Sequence, residues 1–224
     1  MTVRRPFVVE LVGPAGAGKS TLAQALAAHG RAGPCLAVWG LPHHALLASA
    51  PRVMADAVAA ASGGRPLRAS ELAQMIRVDA LGRTVDQARR TTDGVVVLDE
   101  GPVFALSWFA VFHRRNGDPG WARWRRRAVR QWVRRLDAVV YVDAADAVIA
   151  ARIRTRAKGH PIKGASDRVI TDFTARFRLA FDQVLGELRA ARPLPVLRLR
   201  DETAPPVCVA TRLHAALEDL RHAG

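Results

Sequence analysis

The chain has 224 residues, half of them hydrophobic and 24% charged, which suits one globular core and excludes disorder, collagen-like structure and a disulfide scaffold. Its 34 basic against 20 acidic residues give a net charge of +14, and all but three of the basic residues are arginine. That balance asks for an anionic partner, a demand that nucleotide phosphates meet as well as nucleic acid does.

In chain order, apolar β-branched runs alternate with longer segments of helical spacing, the pattern of βα units around a parallel sheet. Phe7–Val12 reads as the first strand, and residues 19–29 as a helix ended by Gly30 and Gly33-Pro34. A second strand is predicted over residues 35–39. Helices follow over 42–61 and 68–90, parted by Ser62-Gly63-Gly64 and Pro66. Val95–Asp99 is the third strand, a helix begins near Pro102, and residues 116–120 form a turn. From Trp121, apolar residues recur at Trp124, Ala128, Trp132 and Leu136, which predicts an amphipathic helix with its tryptophans in the core and its arginines in solvent. Ala138–Val142 is the fourth strand. A helix over 146–157, a polar segment over 158–165 and a helix over 166–191 lead to the fifth strand, Val196–Leu199, and a closing helix over 205–222. The fold class is α/β, in a single domain over residues 1–224. With no secretory pattern, two cysteines and no apolar stretch near the roughly 18 residues that span a bilayer, a cytoplasmic protein that does not cross a membrane is expected.

The strongest motif is Gly13-Pro14-Ala15-Gly16-Ala17-Gly18-Lys19-Ser20, a full G-x-x-x-x-G-K-[ST] match between a strand and a helix. The glycines let successive amides turn inward, and the helix N-terminus adds its positive dipole end, so the loop can cradle phosphates. Gly13, Ala15, Gly16, Ala17, Gly18, Lys19, Ser20 and Thr21 are therefore the expected ATP contacts. Lys19 reaches the β- and γ-phosphates and Ser20 ligates Mg2+.

The third strand delivers Asp99-Glu100 at its C-terminal end, where ligands sit in open α/β sheets. Asp99 suits a metal partner of Mg2+, directly or through water. Glu100 can orient an attacking water, as in an ATPase, or accept a proton from an acceptor hydroxyl, as in a kinase. It can also simply cap the following helix or pair with an arginine.

After the fourth strand come Arg152, Arg154 and Arg156, then Lys158-Gly159-His160-Pro161, then Asp167-Arg168-Val169-Ile170 with Phe173, Arg176, Phe177 and Phe181. With the phosphate loop, this layout resembles the P-loop nucleoside and nucleoside-monophosphate kinases, most of all their thymidylate kinase-like branch. The resemblance implies a three-layer P-loop kinase fold with a central parallel sheet of about five strands, the loop-bearing strand between the third and fourth. It also implies an Arg-rich lid, near residues 152–168, that closes over ATP. Arg152 and Arg156 are four apart, so one helix face would aim both at the transferring phosphoryl group. On the acceptor side the resemblance points to Trp39, His43, His44, Arg77, Asp79, Arg83 and Arg168. Of these, Trp39 could stack on a flat substrate, Arg77 and Arg168 are the candidate substrate contacts, and the two histidines fit a polar surface turn with no metal set around them. Thymidylate kinases carry Asp-Arg where this chain has Asp99-Glu100, a departure that favours a neutral hydroxyl acceptor.

These readings converge on an ATP- and Mg2+-dependent phosphotransferase. The acceptor would be a nucleoside, a nucleotide or a specialised metabolite such as an antibiotic, and a homodimer is allowed. Two alternatives stay open: a P-loop ATPase using Asp99-Glu100, and a nucleic-acid-binding protein or polynucleotide kinase using the Arg-rich helix.

Overall fold

Valine-rich runs form the centre of the molecule, because strands covered on both faces favour apolar side chains on each. In a computed structural model, which describes residues 5–28, 30, 33–61, 67–113, 118–156 and 159–223, five strands pair in the order β2-β3-β1-β4-β5. They are β1 (Phe7–Val12), β2 (Cys35–Leu36), β3 (Val95–Asp99), β4 (Ala138–Val142) and β5 (Val196–Leu199), and every pairing is parallel. β1, which feeds the phosphate loop, runs between β3 and β4 as expected.

Alternation along β1 assigns the two faces of the sheet. Val9 and Leu11 pack with Leu22 and Leu26 of α1 (Lys19–Ala28) and Leu213 and Leu217 of α8 (Pro206–Ala223). Val8 and Val12 face the opposite layer, which holds α3 (Ala69–Thr91), α4 (Pro102–Phe112), α5 (Pro119–Val133) and α7 (Asp167–Ala191). There Leu81, Leu106, Trp132 and Phe181 are fully buried. α2 (His43–Ala61) packs on α3, and α6 (Asp146–Thr155) carries a small cluster of Ile149, Ile153 and Ile170 against α7. Among the described residues, no helix is long and apolar enough to cross a membrane.

The second strand is shorter than predicted. β2 ends at Leu36, paired with Leu98, and Trp39 stands off the sheet. The reason is at its neighbour: Glu100 takes a φ of 64°, which turns the chain away after Asp99. Beyond Leu36 the Val38 N–H to Glu100 O bond, 3.1 Å, continues the pairing.

α5 also differs at both ends. It starts at Pro119, capped by Asp118, whose Oδ1 accepts from Trp121 N at 2.9 Å. It stops at Val133, because the Arg135 and Leu136 amides both turn back to Trp132 O, 2.9 Å each. Residues 116 and 117 of the predicted turn are outside the described residues. The core assignment of the tryptophans holds, with Trp121, Trp124 and Trp132 at 7%, 5% and 1% exposure. Several of the helix's arginines are ion-paired: Arg125 with Glu187, Arg127 with Asp56 and, just past the helix end, Arg135 with Asp86.

Candidate active site

The phosphate loop connects β1 to α1 across a contact that only glycine allows. A Cβ on Gly13 would stand 1.9 Å from Val142 O of the neighbouring strand, and its φ of 151° is itself foreign to L side chains. Lys19 is buried, and its Nζ donates to Gly13 O at 2.8 Å and Pro14 O at 3.0 Å. Burial pushes its pKa down, while the charges of Asp99 and then Glu100 oppose that fall. Ser20 and Thr21 follow on the exposed first turn of α1.

A cavity of about 900 Å3 opens over this loop. Gly13, Ala15, Gly16, Ala17, Gly18, Lys19, Ser20 and Thr21, the whole expected set, line it. So do Glu100, Arg152 and Arg156. Arg152 Nη1 donates to Gly16 O and Ala17 O at 3.4 Å each, which fastens the lid-side helix to the phosphate loop. Arg156 reaches the cavity by another route than the shared helix face expected of it: α6 ends at Thr155, and Arg156 is its C-cap with extended φ and ψ of −60° and 129°.

The carboxylates sit where β3 meets α4. Asp99 Oδ1 is buried and has no hydrogen-bond partner among the described residues. Asp99 itself is not among the residues lining the cavity, but an orphaned carboxylate oxygen at the end of the strand beside the phosphate-loop strand suits a hard divalent cation, the chemistry by which Asp99 and the Ser20 hydroxyl would hold Mg2+. Glu100 holds the left-handed backbone noted above, a conformation that costs of order 1–3 kcal/mol in a non-glycine residue and persists only where its surroundings enforce it.

Glu10, on β1, holds the segment that follows Glu100. It is fully buried and points into the α4 layer. Its Oε2 accepts from Val103 N at 2.9 Å and its Oε1 from Phe104 N at 3.0 Å. Pro102 has no N–H and Ala105 N bonds to Gly101 O at 3.0 Å, so Glu10 completes the first turn of α4. Gly101 must be small because a Cβ there would come within 2.8 Å of Glu10 Cδ. Desolvation pushes the Glu10 pKa up to about 8, against the pull of the Phe104, Val103 and Gly101 amides, and Asp99 adds to the rise. In the sequence, the signal for Glu10 is that it is a single acidic residue inside an apolar central strand.

The lid-side segment is more structured than a plain polar loop. Lys163 Nζ donates to Arg156 O at 2.6 Å, Lys163 N bonds to His160 O at 3.0 Å, and Ile162 packs on the α6–α7 cluster. His160 lines the cavity, and burial, Arg156 and Lys19 lower its pKa. Lys158 is outside the described residues. Behind the lid, Arg178 of α7 grips Asp143 through Nε at 3.1 Å and Asp146 through Nη1 at 2.6 Å, tying the end of β4 and the start of α6 to α7.

The expected acceptor residues fall elsewhere. Trp39 and Arg77 do meet, with the guanidinium 4.7 Å from the ring centroid, but neither is among the residues lining the cavity. Arg168 is exposed on the first turn of α7 and also lies outside the lining. His43 and His44 are exposed at the start of α2. The cavity is lined instead by Phe104, Trp108 and Phe112 of α4, by Phe173 and Phe177 of α7, and by residues 201–206 after β5.

A five-stranded parallel sheet between helical layers, with this loop at its centre, is the α/β P-loop kinase fold. A family model described as an AAA domain matches residues 8–180, and the chain belongs to that family. Among solved structures, the chain is similar to shikimate kinase from Bacteroides thetaiotaomicron at 17% identity and a TM-score of 0.50, with 95% of this chain and 98% of that one covered. At that identity the likeness is one of fold. No curated protein matches the chain.

Proposed function

We propose that this protein is an ATP-dependent kinase that transfers the γ-phosphoryl group to a hydroxyl of a small molecule. The observation that carries the reading is the single cavity wall shared by the phosphate loop, Glu100, Arg152 and Arg156. Residues 1–224 act as one cytoplasmic unit in this reading, with a lid at about 152–168. The lid and the Asp167-Arg168 opening of α7 support a thymidylate kinase-like donor side. Its acceptor side differs, because Glu100 stands where that branch carries arginine.

Residues 201–206 and Val209 border the cavity beyond Thr21 and Gln24, a place for the nucleoside part of ATP. The loop amides and Lys19 hold its phosphates. Mg2+, when bound by Ser20 and Asp99, neutralises charge on the β- and γ-phosphates. Glu100 accepts the acceptor proton as the acceptor oxygen forms its bond to the γ-phosphorus; the bond from that phosphorus to the β–γ bridging oxygen breaks, and ADP leaves with that oxygen. A positioned base of this kind contributes roughly 10²–10⁴ in rate. Arg152 and Arg156 meet the equatorial oxygens, where an arginine is worth about 10³–10⁵.

ADP release, measured with and without a panel of nucleosides, monophosphates and hydroxylated natural products, tests this reading. A kinase releases ADP in an acceptor-dependent manner. Turnover that ignores every acceptor would identify an ATPase instead.

A further inference from the structure

Two helices carry aromatic residues at the same spacing. Phe104, Trp108 and Phe112 occupy successive turns of one face of α4, and Phe173, Phe177 and Phe181 do so on α7. The helices pack together and the rings form a continuous wall. Phe104 and Phe177 stack at 6.2 Å and 7°. Phe112 meets Phe177 at 5.9 Å and Phe173 at 6.2 Å, and Trp108 meets Phe112 at 5.4 Å.

All six line the cavity that contains the phosphate loop. Phe112 is 48% exposed and Phe104, Trp108 and Phe173 are half-buried, whereas Phe177 and Phe181 back the wall from the core and the α5 tryptophans are buried. A concave aromatic surface left open to solvent is apolar area available to a ligand.

The charges on this cavity are distributed unevenly. Its cationic side chains among the described residues are Lys19, Arg152 and Arg156. Lys19 and Arg152 are anchored on phosphate-loop carbonyls. Arg176 stacks outside the lining, 5.9 Å from the Phe173 ring. Of the lining residues, His160 sets its ring 5.9 Å from that of Phe173, and Glu100 stands just ahead of the α4 side of the wall.

The sheet order separates this wall from the nucleoside side. α4 follows β3 on one side of β1, and residues 201–206 follow β5 beyond β4 on the other. Donor and acceptor would thus approach the loop from opposite sides.

We infer that the acceptor is an uncharged, flat, largely apolar molecule bearing a hydroxyl, seated on the Phe104–Trp108–Phe112 and Phe173–Phe177 wall with that hydroxyl at Glu100. This rests on the kinase reading of the site. A phosphate or carboxylate on the acceptor would meet the Glu100 charge and a wall of rings, with the arginines committed to the transferred group. The step stays balanced: the alcohol loses its proton to Glu100, gains the phosphoryl group and becomes a phosphate monoester, and ATP becomes ADP.

The test uses four probes: naphthaleneethanol, naphthaleneacetate, naphthylethyl phosphate and sorbitol. Each is titrated calorimetrically into the protein holding a non-hydrolysable ATP analogue. The neutral aromatic alcohol should bind at least about tenfold more tightly than each of the other three, because it alone combines ring area with no charge. Phe112→Ala and Phe173→Ala should each weaken it by about tenfold while the affinity for the ATP analogue and the melting temperature stay near wild type; Phe112→Leu should restore part of the loss. Equal or tighter binding of either anion, or unchanged alcohol binding in both alanine variants, would overturn the proposal. Incubation with ATP then separates the two readings. Phosphorylation of an anionic probe but not of the alcohol removes this acceptor class and leaves the kinase intact. Tight alcohol binding with only acceptor-independent ATP hydrolysis keeps the aromatic site and removes the kinase.

Discussion

At the scale of single residues, Lys19, Asp99 and Glu100 divide the chemistry. Lys19 is held by two loop carbonyls, both in the loop itself, so Lys19→Ala should fold normally and lose turnover by at least about 10³, since a point charge on the phosphates is removed. Circular dichroism with an ADP-release assay checks both halves; wild-type turnover in the folded variant would remove the nucleotide site. Asp99→Asn should raise the Mg2+ concentration needed for half-maximal rate, and Mn2+ should recover part of the activity. Glu100→Gln should instead lower the chemical rate by roughly 10²–10⁴ at unchanged metal dependence. Equal, small effects of both changes on metal dependence and rate would sink the assignment.

At the scale of elements, the decisive contact joins β1 to α4. Glu10 holds the first turn of α4 from inside the sheet, and its pKa is raised from 4.5 to about 8. The native state therefore binds a proton that the unfolded chain releases between those values. Glu10's contribution to stability is full below about pH 4.5 and is lost as the pH rises to about 8, with a slope approaching about 1.4 kcal/mol per pH unit. Urea unfolding from pH 5 to 8 should show this fall in the wild type and a flatter profile in Glu10→Gln; parallel profiles would contradict it. Much of the element pattern was legible in the sequence. β1, β3, β4 and β5 have the predicted limits because buried parallel strands are nearly continuous apolar runs. β2 is shorter than its apolar run, since its end is set by the left-handed turn at Glu100, just past β3. Likewise the phosphate loop was legible because local spacing defines it, whereas the aromatic wall depends on how α4 packs against α7. The i, i+4 aromatic spacing on each helix was a signal, but its meaning is tertiary.

At the scale of the whole molecule, the net charge of +14 coexists with an Arg-rich helix that packs its tryptophans inward. α5 is a core element first. Trp132→Ala should cost about 3–5 kcal/mol of stability by cavity formation, against about 0.5 kcal/mol or less for Arg134→Ala, whose side chain is on the surface. Chemical denaturation distinguishes them; a negligible cost at Trp132 would show that the α5 interface is misassigned. The larger question is what the cavity over the phosphate loop does with ATP. Phosphorus NMR of a reaction with γ-labelled ATP and a hydroxylated acceptor follows the transferred group directly. The proposed chemistry predicts a phosphate monoester resonance that grows with ADP, needs the acceptor and disappears in Lys19→Ala. Label appearing only as inorganic phosphate, at the same rate with and without acceptor, would contradict it.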